Sequence, residues 1–106
     1  MYQDNDLKHI GDLKALAPAE FTAWVNLDAI TGRKDGKIPH KMRELIAVAV
    51  AHTTQCPYCI KVHAKNAKKA GASKEEVAEA IFLAAALRSS GAAAHGAMAL
   101  RYYEEE

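Results

Sequence analysis

Helix-forming residues dominate this chain of 106 residues, and they limit it to an all-helical fold. Alanine recurs along most of the chain and β-branched residues are few, a composition that favours helix over strand. No alternation of apolar and polar residues extends beyond a few positions, and so no strand is predicted. The expected architecture is all-α, with about five to six helices in a single domain spanning residues 1–106.

The bulk composition excludes several classes of function. Lys plus Arg exceeds Asp plus Glu by one, which gives no electrostatic basis for nucleic acid or an anionic membrane as a partner. The first ten residues are polar and lack the apolar segment of a signal peptide. The longest uncharged run, residues 45–60, is too short and too polar to span a membrane. A cytoplasmic location is therefore expected.

Helix-start and helix-stop residues divide the chain into segments. Pro18 fits the first turn of one helix, Gly71 the end of another, and Ser73 with Glu76 forms a capping box. A break or kink is predicted at 89–91, before a last Ala-rich segment. The predicted helices cover residues 6–16, 18–32, 39–54, 56–71 and 73–88.

The apolar faces of two of these helices can be assigned from helical spacing. The third helix carries an apolar stripe. The fifth is expected to direct its larger apolar residues inward. Because the many alanines supply little buried area each, the chain is expected to complete its core by self-association. The residues are Met42, Leu45, Ile46, Ala49 and Val50 on the third helix, and Val77, Ile81, Leu83 or Ala84, and Leu87 on the fifth.

The only two cysteines, Cys56 and Cys59, lie three residues apart at the start of the fourth helix. Pro57 fits the first helical position, which makes Cys56 the cap residue. The first backbone N–H groups of the helix then favour a thiolate at its sulfur. His63 follows Cys59 by one turn on the same face, where its imidazole can accept a thiol proton.

Glu44 is the residue expected to reach this cluster from a neighbouring helix. If the third and fourth helices form an antiparallel hairpin around Thr54, Glu44 lies about 14 Å from the turn and His63 about 11 Å, at 1.5 Å per residue. The carboxylate and the imidazole can therefore meet, and a carboxylate fixes the tautomer of a histidine. The four residues together are typical of a two-cysteine redox reaction, in which one sulfur attacks and the other resolves.

Each residue alone also has a simpler interpretation. A Cys-x-x-Cys pair by itself is a weak signal, Glu44 could be a solvated helix residue, and His63 a partly buried packing residue. His52 either contacts the four site residues from outside the cluster or caps the end of its helix. His95 is expected to face a neighbouring helix or subunit. Tyr58 is expected at the rim, where it can shape access. Lys61, Lys65, Lys68 and Lys69 are interpreted as a solvated face, and His9 and His40 as surface residues.

The spacing of Glu44, Cys56, Cys59 and His63, written E-x11-C-x-x-C-x-x-x-H, resembles the active-site motif of AhpD-type alkylhydroperoxidases. These enzymes belong to the carboxymuconolactone decarboxylase-like family. The similarity covers about residues 38–97. It implies an AhpD-like helical bundle built around an αα-hairpin and assembled as a homo-oligomer, commonly a trimer or hexamer.

The resemblance implies a thiol peroxidase that reduces alkyl hydroperoxides. Cys59 matches the cysteine that attacks the peroxide and becomes a sulfenic acid, and Cys56 matches the one that closes the disulfide. Glu44 and His63 match the proton relay. The helix start favours Cys56 as the more acidic thiol, whereas the family favours Cys59 because His63 serves it; Cys59 is taken as the attacker. No cofactor or metal is implied.

Two expectations on partners follow from the resemblance. The substrate is a peroxide, and the electrons come from a dithiol reductant, which in the founding enzyme is a lipoyl-bearing protein. That enzyme is longer and has a histidine between its cysteines where this chain has Tyr58. These two differences leave a second function open for a short member of the family such as this chain. That function is a general disulfide oxidoreductase with no dedicated peroxide substrate.

Four rival interpretations remain. The letters CPYC are typical of glutaredoxins, but that fold requires strands beside the motif, and residues 44–52 favour helix. A metal site is weak because there is no second Cys or His pair at ligand spacing. Decarboxylation, which the wider family name suggests, does not need a dithiol. The last rival is a purely structural role for the cysteine pair.

Overall fold

The computed structural model describes residues 3–106, and every regular element in that range is helical, which confirms the all-α prediction. Contacts divide the chain into two compact units, residues 3–40 and 41–106. A single domain spanning the chain stays a prediction. A short 3-10 helix, Asp4–His9, is followed by α1 (Ile10–Leu16), α2 (Pro18–Thr31), α3 (His40–Thr54), α4 (Pro57–Lys69) and α5 (Lys74–Glu104).

The first unit contains the 3-10 helix, α1 and α2. Pro18 occupies the first turn of α2 as predicted, because its missing N–H would have no partner there. The rings of Phe21 and Trp24 meet edge to face, with centroids 5.6 Å apart. None of the described residues of α1 or α2 is buried, and Trp24 is 54% exposed. The apolar surface of this unit is therefore left without a complete cover.

The second unit contains α3, α4 and α5 around a core of small side chains. Each helix contributes residues that are at most 8% exposed to solvent, and Ala67 of α4 is completely buried. Alanines at these positions let helix backbones approach closely, but they bury little area each. The buried apolar residues are Val48 and Ala51 of α3, Ala67 of α4, and Ala80 and Ala84 of α5.

A two-residue turn joins α3 to α4 and positions the cysteines. Gln55 adopts a left-handed conformation with φ 56°, and the N–H of Cys56 donates to the carbonyl of Ala51 at 3.2 Å. The turn reverses the chain so that α4 folds back along α3, which is the predicted αα-hairpin. At the other end of α4, Gly71 has φ 93°, a conformation that other residues rarely adopt.

The start of α5 is fixed by the predicted capping box. The Glu76 N–H donates to Ser73 Oγ at 3.0 Å, and the Ser73 N–H donates to a Glu76 carboxylate oxygen at 2.9 Å. Lys41 Nζ of α3 lies 3.0 Å from the same carboxylate. The Ser73 N–H, and then the Lys41 ammonium, hold the pKa of Glu76 below its usual value. These contacts tie α5 to α3 near its first turn.

The predicted break at 89–91 is wrong, because α5 continues unbroken from Lys74 to Glu104. Serine and glycine cost a helix only about 0.5–1 kcal/mol each, and the surrounding alanines offset that cost. Ser89 Oγ also donates to the carbonyl of Ala86 at 2.8 Å, so its hydroxyl is satisfied inside the helix. The sixth predicted segment is therefore the second half of α5.

The inward orientation predicted for the larger residues of α5 is only partly confirmed. Ala80 and Ala84 are buried, whereas Leu83 and Leu87 are 64% and 71% exposed. By its length and composition, α5 is also long and apolar enough to cross a membrane. Core helices of soluble proteins meet the same criterion, so this finding assigns no location.

On α3, the stripe residues Met42, Ile46 and Val50 are about half exposed, and the buried side is formed by Glu44, Val48 and Ala51.

Candidate active site

The two cysteines are joined in a disulfide at the start of α4, with their Cα atoms 5.3 Å apart. Cys56 has extended backbone angles and caps the helix, as predicted, while Pro57 takes the first helical position. The N–H of Cys59 donates to Cys56 Sγ at 3.2 Å. Because this helix-start N–H points at the sulfur, it would also stabilise negative charge there once the disulfide is opened.

Glu44 and His63 meet in the predicted contact between α3 and α4. His63 Nδ1 lies 2.7 Å from Glu44 Oε2, and this contact is confirmed although the two residues are 19 positions apart. Glu44 is 5% exposed and is the one buried charged residue among those described. A carboxylate accepts hydrogen bonds but cannot donate them, so Nδ1 carries the proton and donates. The lone pair of the neutral imidazole is then on Nε2.

The arrangement places a base on the helix that carries the sulfurs. His63 follows Cys59 by four residues, so the two side chains lie on one face of α4. The His63 side chain is 28% exposed and both cysteines are half-buried, so the region is partly open to solvent. Glu44 orients the ring from α3. The structure therefore brings all four predicted residues into one hairpin, while their roles in a reaction stay predictions.

Arg88 of α5 is a neighbour of the site that the sequence did not reveal. Its guanidinium donates to the carbonyl of Thr53, in the last turn of α3 and three residues before Cys56. The bond satisfies a carbonyl that the helix end leaves without a partner and ties the hairpin turn to α5. The two residues are 35 positions apart. No local pattern indicates such a contact, so sequence reasoning could not find it.

The other histidines take no direct part in this arrangement. His52 Nδ1 lies 2.7 Å from the carbonyl of Val48 one turn earlier, so it bonds inside α3 rather than capping its end. His95 is exposed on α5, and His9 pairs with Asp12 at 3.0 Å. His40 is half-buried, not a fully exposed surface residue. Residues 3–106 contain no group of three or more His, Cys, Asp or Glu that could hold a metal ion.

Residues 18–102 match the model of the carboxymuconolactone decarboxylase family, a stretch that contains the hairpin and all four site residues. This chain belongs to the carboxymuconolactone decarboxylase family. The match confirms the family resemblance that the motif indicated, and it agrees with the observed helical fold. Family members include enzymes, so membership supports a catalytic role without specifying the reaction.

Similar proteins support the family assignment without naming an activity. "Uncharacterized protein 4 in cox locus" of Paracoccus denitrificans is 48% identical over 67% of this chain and 64% of its own length, so the match leaves about a third of that protein uncovered. An uncharacterized protein of Cupriavidus necator is 30% identical over 92% of this chain and 85% of its own. A crystal structure of a Methanobacterium thermoautotrophicum protein has a TM-score of 0.69 at 31% identity, covering 81% and 94% of the two chains.

Proposed function

We propose that this family member is a thiol-dependent peroxidase that reduces alkyl hydroperoxides through Cys59 and Cys56. The supporting observation is the 2.7 Å hydrogen bond between Glu44 and His63. His63 lies on the helix that begins with two cysteines close enough to form a disulfide. A structural disulfide needs no buried carboxylate to orient a neighbouring imidazole. A thiol peroxidase can use such a pair, because its attacking thiol must lose a proton and its leaving alkoxide must gain one.

In the proposed first half-reaction, His63 Nε2 takes the proton of the Cys59 thiol. The thiolate attacks one peroxide oxygen, so that an S–O bond forms and the O–O bond breaks. The departing alkoxide receives the proton from the imidazolium and leaves as an alcohol. Glu44 stabilises the imidazolium through Nδ1 during this exchange, and Cys59 is left as a sulfenic acid.

In the proposed second half-reaction, the Cys56 thiolate attacks the sulfur of Cys59. The S–S bond forms, the S–O bond breaks, and the departing hydroxide combines with the Cys56 proton to give water. The Cys59 N–H that points at Cys56 Sγ favours the thiolate needed for this step. A dithiol reductant, of which a lipoyl-bearing protein is one example, then returns two electrons and two protons.

A peroxide-consumption assay with parallel reductants tests this function. The protein is mixed with an organic hydroperoxide and, separately, dihydrolipoamide, thioredoxin or glutathione. We expect catalytic loss of peroxide with at least one dithiol, and slower loss with the monothiol glutathione. Reduction of the Cys56–Cys59 disulfide without peroxide consumption would instead favour the second candidate, a general disulfide oxidoreductase. Its supporting observation is the cysteine cap itself, which any dithiol exchange would use.

We also propose that the active form is a homo-oligomer, a trimer or hexamer. The exposed apolar residues of α5 support this, because Phe82, Leu87 and Leu100 are each at least 67% exposed. Such a surface is unusual for an isolated soluble chain. Light scattering is expected to give a mass several times 11.5 kDa, and a mass equal to one chain would contradict the proposal.

A further inference from the structure

The turn between α3 and α4 is the segment that holds Cys56. The N–H of Cys56 donates to the carbonyl of Ala51 at 3.2 Å, and this bond closes the turn around Gln55. Among residues 3–106, Gln55 is the one non-glycine residue with a positive φ, at 56°. That left-handed conformation is unfavourable for a residue with a Cβ atom. The turn therefore depends on bonds to its surroundings to keep this shape.

One of those bonds comes from α5. The Thr53 hydroxyl donates to the carbonyl of Val50, a contact inside α3. The Thr53 carbonyl instead accepts from the guanidinium of Arg88 on α5. In the part of the chain that the structure describes, this is the one hydrogen bond that joins residues 53–56 to α5. Because carbonyls at a helix end have no partner within their own helix, a donor from another helix at this position holds the turn in place.

Arg88 extends from a firmly packed stretch of α5. Ala84 lies one turn earlier on the same face and is 4% exposed, whereas Arg88 itself is exposed. No carboxylate of residues 3–106 forms an ion pair with Arg88. The guanidinium therefore has no charged partner in the described chain that competes with the Thr53 carbonyl. The packed helix fixes the base of the side chain, and its tip binds the turn.

The proposed reaction places different demands on the two cysteines. While the disulfide is closed, the S–S bond itself fixes Cys56 against Cys59. After that bond opens, the turn and the Cys59 N–H set where Cys56 Sγ lies. Cys59 is instead inside α4, one turn before His63, and so its position depends less on the turn. Loosening the turn should therefore slow the step that Cys56 performs more than it slows the attack on peroxide.

We propose that Arg88 is a positioning residue that holds Cys56 ready to close the disulfide. The inference rests on the proposed function, because it concerns the second half-reaction. In that step the Cys56 thiolate attacks the sulfur of the Cys59 sulfenic acid, the S–S bond forms and the S–O bond breaks. The departing hydroxide combines with the Cys56 proton to give water. Since a misplacement of about 1 Å can slow a reaction by about 100-fold, we expect loss of the Arg88 bond to slow closure by about tenfold.

Competition between closure and further oxidation measures the closure step. Fully reduced protein is exposed to excess organic hydroperoxide without reductant. The sulfenic acid of Cys59 then either closes to the disulfide or takes an oxygen from a second hydroperoxide and becomes a sulfinic acid. Intact mass distinguishes the two products, since one has lost two hydrogen atoms and the other has gained two oxygen atoms. The half-point is the hydroperoxide concentration at which the two form equally, and it falls in proportion to the rate of closure.

Two variants remove the donor to Thr53. Arg88→Met ends in an apolar group, and the shorter side chain of Arg88→Gln ends before the position of the arginine Nη1. Each should lower the half-point about tenfold, while the rate of the first attack on hydroperoxide stays within about twofold of the wild type. Arg88→Lys keeps a positively charged donor and should restore the half-point to within about threefold of the wild type.

Arg33→Met is the matched control. Arg33 Nη1 also donates to a carbonyl at a helix end, that of Ile30 at 3.4 Å, but it lies in the other compact unit. This variant removes the same charge and the same kind of bond, and it should leave the half-point unchanged. The inference is overturned by a wild-type half-point in Arg88→Met and Arg88→Gln, by an equal fall in Arg33→Met, or by an Arg88→Lys value no higher than that of Arg88→Met.

The same data separate this inference from the proposed function. If the wild type forms neither disulfide nor sulfinic acid with hydroperoxide, the peroxidase function is wrong. If the wild type closes the disulfide and the half-point does not depend on Arg88, only the positioning role is wrong. Circular dichroism and solution mass, compared with the wild type, show whether a variant has kept its fold. If Arg88→Met fails this check, Arg88→Gln and Arg88→Lys carry the test.

Discussion

Cys59→Ser is expected to lower the rate of peroxide turnover by about 10³-fold or more, because it removes the proposed nucleophile. Cys56→Ser should behave differently. It keeps the attacking thiol beside His63 but cannot close the disulfide, so one equivalent of peroxide should convert Cys59 to a sulfenic acid. That species should be trapped by dimedone and identified on Cys59 by mass spectrometry.

The two cysteine variants also decide the order of attack. The helix cap favours a thiolate at Cys56, whereas His63 lies one turn from Cys59. If Cys59→Ser gives the dimedone adduct on Cys56 and Cys56→Ser is unreactive, Cys56 is the attacker. If both variants consume peroxide at the wild-type rate, the cysteine pair is not the site of the reaction.

Glu44→Gln is expected to slow the reaction of reduced protein with hydroperoxide by about 10²-fold near neutral pH. The amide keeps the shape of the carboxylate but removes its charge, and so the imidazolium of His63 loses the negative charge that stabilises it from 2.7 Å. Less thiolate then forms at a given pH. The alkylation rate of the reduced protein with iodoacetamide should fall near neutral pH and recover in alkaline solution, where the thiol ionises without help.

Two further variants control for charge and for coupling. Glu79→Gln removes one negative charge from an exposed position of α5 and should leave the alkylation profile unchanged. Glu44→Gln combined with His63→Gln should be no slower than His63→Gln alone, because Glu44 acts only through the imidazole. An unchanged alkylation profile in Glu44→Gln, with the fold intact by circular dichroism, would remove Glu44 from the site.

Local signals were enough to predict where most helices begin and end. Pro18, Ser73 with Glu76, and Gly71 each act within one turn of their own positions, and the structure contains all three features. The Glu44–His63 contact was predictable for a related reason. A short turn at Thr54 fixes how far each residue lies from the reversal, so heights along two helices can be compared.

Contacts that depend on more distant packing could not be predicted. Spacing along α3 showed an apolar stripe, but it could not show that the buried side would be the one carrying Glu44 and Val48. When a helix has apolar residues on two sides, its own sequence does not show which side packs against the other helices of the chain. The bond from Arg88 to Thr53 depends on where a third helix passes, and the break expected at Ser89 assumed that weak helix formers end a helix among strong ones.

The most direct measurement of the central claim is a thiol count after a single turnover. Fully reduced protein is mixed with one equivalent of organic hydroperoxide in the absence of any reductant, and free thiols and intact mass are then determined. The proposed chemistry predicts loss of both thiols, a mass lower by two hydrogen atoms, one equivalent of alcohol, and a peptide map joining Cys56 to Cys59. An unchanged thiol count with the hydroperoxide intact would contradict it.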